Sequence, residues 1–218
     1  MIHRGHVQLV VEGESERLFV RQCVAPHLAP HGLTVSAISL DGVTGYGRPR
    51  SAVKAALGMR GVTAVSSLID YYALPDDFPG AAQRAQTARA HVEQIEAAWA
   101  ADIADRRFVP HVVLHELEAW VFAAPARLAA RHFEDDDALV AGVAAIATAH
   151  ATPEEIDDGA ATAPSKRLAA LFASRGRRYV KTVHGVGALA ALGMAAILEA
   201  CPHARAWLAR LVAAATAE

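Results

Sequence analysis

At three places in this chain, carboxylates stand directly after short apolar runs rich in β-branched residues. Residues 7–11 (VQLVV) lead into Glu12, Gly13, Glu14, Ser15 and Glu16. Residues 63–69 (TAVSSLI) end at Asp70, and residues 108–114 (FVPHVVL) feed into His115, Glu116, Leu117 and Glu118. Such runs read as buried strands, and in open α/β sheets ligands bind beyond the carboxyl ends of the strands. Carboxylates gathered there would offer hard oxygen ligands, suited to Mg²⁺ or Mn²⁺ rather than zinc. A divalent ion with waters left on it activates an attacking water and neutralises charge on a transferring phosphate. The chemistry these residues could do is phosphodiester hydrolysis.

A plainer account covers some of them. Glu14 and Glu16 fall in a first helical turn, where acids are favoured by the macrodipole, and Ser15 is a good N-cap. Glu12 precedes the turn and escapes that account. Asp70 could simply cap the turn that follows it. Glu116 and Glu118 project from one face if the chain is extended there. In a helix they lie roughly 200° apart, so at least one is expected to join Glu12 and Asp70. His111 and His115, in a strand-like segment, do not make a zinc site, and the acidic run is not H-E-x-x-H.

The elements that must position these groups alternate along the chain. Strands at residues 7–11, 33–40, 63–69 and 108–114 are separated by helical stretches, the longest over residues 82–103. His91 is expected at the surface of that helix. The pattern predicts an α/β core with a mostly parallel four-stranded sheet flanked by helices. Everything after residue 124 reads as helix: 125–133, 138–150 behind the capping acids Asp135, Asp136 and Asp137, then 163–172, 187–199 and 203–215. Residues 154–163 read as a mobile connector. The expected division is therefore an α/β core over residues 1–124 and a helical extension over 125–218.

Two segments could meet phosphate. Residues 41–50 (DGVTGYGRPR) carry three glycines, Tyr46, Arg48 and Arg50. They follow the second strand with the wrong spacing for a dinucleotide fingerprint, and suit either a phosphate backbone or a plain surface loop. Further on, Lys166, Arg167, Arg175, Arg177, Arg178 and Lys181 cluster beside Ser165, Tyr179 and His184. They form either a solvated face or a phosphate clamp.

Composition narrows the classes. Of 218 residues 53% are hydrophobic, enough for a sizeable core, and the formal net charge of −2 gives no global basic field. The two cysteines, Cys23 and Cys201, lie far apart in apolar segments and read as buried free thiols. With no apolar leader and no long uninterrupted apolar stretch, the expectation is a cytoplasmic protein without membrane association.

The run Val10-Val-Glu-Gly-Glu-Ser-Glu16 resembles the first signature of the Toprim domain, the metal-binding module of topoisomerases, primases and OLD-family nucleases. In that family a glutamate follows the first strand and an aspartate motif follows the third; Glu12 and Asp70 match those positions. His115-Glu-Leu-Glu118 resembles the further acidic motif of the OLD-type branch. With the Asp70-Tyr-Tyr run, Pro164-Ser-Lys-Arg167 and residues 179–185, nearly the whole chain resembles a bacterial Toprim-like family of unknown function. The resemblance implies a Toprim-like, Rossmann-like fold and a metal-dependent nuclease using Mg²⁺ or Mn²⁺. It implies action on nucleic acid, DNA in preference to RNA, in phage defence beside an AAA- or ABC-type ATPase. Glu12, Asp70 and Glu116 would be the catalytic carboxylates and metal ligands, with Glu16 and Glu118 as further ligands. Arg48, Arg50, Lys166, Arg167, Lys181 and His184 would face the phosphates. One position departs from the family: Tyr72 stands where Asp-x-Asp has its second aspartate, which leaves Asp76 or Asp77, or Glu116 and Glu118, to complete the shell. A non-catalytic nucleic-acid-binding or regulatory subunit, and a nucleotide-binding protein, are the alternatives.

Overall fold

The computed structural model describes residues 5–72, 74–129, 136–156, 159 and 161–217. The chain divides into two compact units, residues 1–114 with 206–218, and residues 115–205. The first unit thus ends ten residues before the boundary read from the sequence, and it reclaims the chain's last helical turns.

The first unit is built on five parallel strands. β1 (Gly5–Val11) runs into α1 (Glu14–Phe19), a π-helical turn over residues 20–24 and α2 (Ala25–Leu28). A 3₁₀ turn then ends at Gly32, whose φ of 76° needs a residue without a side chain. β2 (Leu33–Ser39), α3 (Gly47–Leu57), β3 (Val62–Asp70) and α4 (Ala88–Ile103) follow. The order is β2-β1-β3-β4, with β4 (Phe108–Val109) and β5 (Val112–Val113) both parallel to β3. Val7, Leu9, Val10 and Val11 are fully buried and Gln8 is buried among them, so β1 is buried without alternation from Val7 on, as a strand covered on both faces must be.

The four strands expected are five because Pro110 divides the last. Proline has no N–H for the ladder, yet the register is the same on both sides: Val65 faces Phe108 and Ile69 faces Val112. The Ser67 hydroxyl spans the break, donating to the His111 carbonyl and accepting from its N–H at 3.0 and 2.9 Å. Ser66 likewise donates to the Val109 carbonyl.

α4 starts at Ala88, six residues later than the pattern suggested, because Thr87 caps it by accepting from the Ala90 N–H. Its His91, expected at the surface, is buried between the Tyr71 hydroxyl (2.7 Å) and the Ala81 carbonyl (3.1 Å). Beneath α3 and α4 the core is formed by Val53, Val65, Ile69, Ile95, Trp99 and Phe108. Trp99 meets Phe78 and Phe108 edge-on at 5.3 Å each. Burying each large apolar side chain contributes about 1.5–3 kcal/mol.

The second unit is helical. A buried 3₁₀ segment over residues 117–123 packs against α6 (Asp137–Thr148), α7 (Pro164–Ser174) and α8 (Val186–Ala200), with α5 (Pro125–Ala129) leading into α6. Asp136 caps α6 as its sequence suggested, while Asp135 and the end of the expected 125–133 helix lie outside the described residues. Within residues 154–163, read as a connector, Glu154 is buried and accepts the His203 and Ala204 N–H groups, capping α9 (Pro202–Thr216) at 2.9 Å each. Most of α9 belongs to the first unit.

By length and composition alone, the segment Lys181–Ala200 is long and apolar enough to cross a membrane, where the sequence reading found no such stretch. Its backbone is not continuous helix: Gly193 stands at φ 74°, ψ 156°.

Candidate functional site

In the first unit, the topology sets the strand ends that carry Glu12 and Asp70 side by side. The chain leaves β1 for β2 on one side and returns to β3 on the other, so the carboxyl ends of β1 and β3 flank the point where strand order reverses. Glu12 follows β1 while still bonded to the sheet, its N–H donating to the Leu68 carbonyl. Asp70 is the last residue of β3, and its N–H donates to Glu12 Oε2 at 3.3 Å. Glu16, buried in the first turn of α1, reaches back to accept the Gly13 N–H at 2.9 Å. That contact aims Glu16 at the turn that also presents Glu12. Glu14 turns to solvent and pairs with Arg17, as an ordinary helix-start acid does. The donors offered are oxygens only, from the ends of two neighbouring strands and the first turn of α1, the ligand type that Mg²⁺ and Mn²⁺ take.

In the second unit, Glu116 and Glu118 both face one cation. His115 takes a left-handed conformation (φ 63°), turning the chain sharply, and Glu116 follows in extended conformation ahead of the 3₁₀ segment. Both carboxylates are buried and both meet Lys181, whose Nζ lies 3.1 Å from Glu118 Oε1 and 3.8 Å from Glu116 Oε1. Glu116 also accepts the Ser165 N–H (2.8 Å) and hydroxyl (2.9 Å), capping the start of α7. Burial pushes the Glu118 carboxyl above its usual range; Lys181 opposes that shift and Glu116 adds to it. The Tyr179 phenol is raised well above its ordinary range, by burial first and then by Glu118 and Glu116. An ammonium group thus stands where the sequence suggested a metal ion.

The profile of DUF4276, a domain of unknown function, matches residues 11–212. The chain belongs to that family. No curated protein and no solved structure matches it. The matched span of this DUF4276 chain takes in both carboxylate groups, and the family's description names no activity.

The remaining predicted residues are dispersed. Arg48 and Arg50 lie in the first turn of α3 rather than in a loop; Arg48 is exposed, and Arg50 pairs with Asp102 at 2.7 Å. The Tyr46 ring packs on Phe78 and Trp99, and its hydroxyl donates to Asp102. Asp77 accepts the Tyr46 N–H with both oxygens, at the start of α3. In the second unit, Lys166 is exposed at the start of α7 and Arg167 donates to the Thr162 carbonyl at 2.6 Å. His184 Nδ1 accepts the Val180 N–H, and its ring packs on Phe172. Arg177 lies over the Phe172 ring, and Arg175 pairs with Asp136. No Asp or Glu occurs between Gly159 and Leu198, so this stretch is one-signed in charge.

Sequence reasoning missed a buried polar network in the first unit of the DUF4276 chain. Glu96 accepts the Val112 N–H at 2.9 Å and lies 3.2 Å from both His111 Nδ1 and Arg210. His111 stacks on Trp207 at 4.4 Å, and the Trp207 indole donates to Ser66. A cavity of about 360 Å³ adjoins Glu96, Phe108, Pro110 and Arg210. The signal was a carboxylate on the buried stripe of α4, between Ile95 and Trp99.

Proposed function

We propose that this protein is a Mg²⁺- or Mn²⁺-dependent phosphodiesterase acting on nucleic acid. The observation that carries the reading is the meeting of Glu12 with the Asp70 backbone at the point where strand order reverses. Glu12, Glu16 and Asp70 would hold the ion, which would supply Lewis acidity and an activated water. The sheet contributes rigidity: Glu12 directly follows β1 and Asp70 ends β3, two strands that pair, and Glu16 is oriented by the Gly13 amide. The exposed cations Lys166 and Arg178, in a stretch without acids, suit the neutralisation of phosphates. A phage-defence setting and an ATPase partner rest on the Toprim resemblance, and a cytoplasmic location on the composition of the sequence.

A second reading, a polyanion-binding module without catalysis, is favoured by Lys181, which already neutralises Glu116 and Glu118. Incubation with plasmid and single-stranded substrates in Mg²⁺ or Mn²⁺, beside Glu12→Ala and Asp70→Ala, separates the two. Metal-dependent cleavage lost in both variants supports the phosphodiesterase. Calorimetry showing no metal binding by the wild-type protein, with nucleic acid still bound, would leave the binding module.

A further inference from the structure

The two edges of the sheet in the first unit are treated differently. At one edge β4 and β5 are two residues each, Pro110 interrupts them, and the Val112 N–H is taken by the buried Glu96 carboxylate. Short strands, proline and buried coverage are the devices that keep an edge from pairing with another chain. The opposite edge, β2, has none of them. Its seven residues (LTVSAIS) include no charged residue, proline or glycine, and they pair with β1 in one unbroken register from Gly5↔Leu33 to Val11↔Ser39. Every residue of β2 after Leu33 is exposed or half-buried.

β2 is also stiffened from behind. His6 on β1 bonds the Thr34 hydroxyl through Nδ1 and the Ser36 hydroxyl through Nε2, each at 2.8 Å, and Ser36 donates to Gln8 Oε1 at 2.7 Å. This cross-strand net holds β2 straight and in register, so little order remains to be imposed when a further strand adds to it.

We propose that β2 is a self-association edge: two copies of this chain pair through β2, antiparallel about a two-fold axis at Ser36, and join their sheets into one. The strand's chemistry selects a second copy. A two-fold interface sets each residue against its own symmetry mate, and an uncharged strand meets itself without like-charge repulsion. Along the chain the titratable groups that flank the strand are His31 before it and Asp41 after it, while His6, which bonds Thr34 and Ser36, stands on β1, one strand in from the edge. Antiparallel pairing sets the histidine end of one copy beside the aspartate end of the other. Over the full strand, Ser36 faces Ser36, Val35 faces Ala37 and Thr34 faces Ile38. The assembly is independent of the chemistry at Glu12.

Sedimentation velocity on the full chain across micromolar concentrations should show a reversible dimer. Ser36→Lys sets two ammonium groups against each other across the axis and should weaken the dimer by about tenfold or more, with circular dichroism unchanged. Ser36→Cys tests the register directly, since facing residues of an antiparallel pair lie within disulfide reach. Under mild oxidation it should form a covalent dimer, whereas Thr34→Cys and Ile38→Cys should link only when mixed with each other. The native Cys23 and Cys201 are buried and stay out of the reaction. A wild-type protein that is monomeric throughout would overturn the proposal. So would a dimer unaffected by Ser36→Lys, or folded Ser36→Cys protein that does not link.

Discussion

Replacing Lys181 by methionine keeps the length of the side chain and removes the charge between Glu116 and Glu118. Each glutamate side chain is 6% exposed and that of Lys181 is 47% exposed. Stripping the partner from a fully buried pair costs about 3–5 kcal/mol; with the ammonium half in water, about 2 kcal/mol is the expected loss. At roughly 2–4 °C per kcal/mol for a chain of this size, the melting temperature at pH 8 should fall by about 4–8 °C. The deficit should depend on pH. Burial raises the folded-state pKa of Glu118 above the unfolded value of 4.5. The folded protein therefore holds this proton more tightly, and stability falls as pH rises from that value through the raised one. Without Lys181 the folded value rises further and the loss extends to higher pH, so the variant should approach wild-type stability near pH 5. Glu118→Gln in the Lys181→Met background should recover most of the loss at pH 8. Scanning fluorimetry at both pH values reads all of this. A deficit of equal size at pH 5 and pH 8, or none at pH 8, would refute the ion-pair account.

Two further outcomes follow from packing. A Cβ on Gly185 would lie 2.5 Å from the Tyr179 hydroxyl, which is held against Phe172 and His184. Gly185→Ala should therefore cost about 1–3 kcal/mol in urea unfolding, and Tyr179→Phe in the same chain should return part of it. Burial pushes the Cys23 thiol up to about 12 and raises Cys201 as well. At pH 8 an aromatic disulfide reagent should modify neither thiol in the folded protein, and both once denaturant is added.

The carboxylate-bearing strand ends were legible because their signals are local: a β-branched run, a glycine or an acid, then helical spacing. Glu12 and Asp70 needed only a parallel sheet to set their strand ends side by side, and Glu16 reaches the same turn from α1. The loop at residues 41–50 misled because glycine content outweighed the start of α3 at Gly47, where Tyr46 finds its partners in Asp77 and Asp102, more than thirty residues on. His91 looked like a surface residue because its hydrogen-bond partners Tyr71 and Ala81 come from a separate turn. Lys181 between Glu116 and Glu118 joins positions more than sixty residues apart, which no spacing rule connects.

The return of α9 to the first unit has a consequence for how the chain is made. Trp207, which stacks on His111 and bonds Ser66, is translated after the whole of the second unit. At about 5–20 residues per second, the sheet emerges from the ribosome and waits on the order of five to twenty seconds for the indole that covers it. During that interval the apolar surface around His111 is open to chaperones and to neighbouring nascent chains. A stop codon placed near the C-terminus would consequently injure the N-terminal half of the molecule, while the intervening helices would keep all of their own residues.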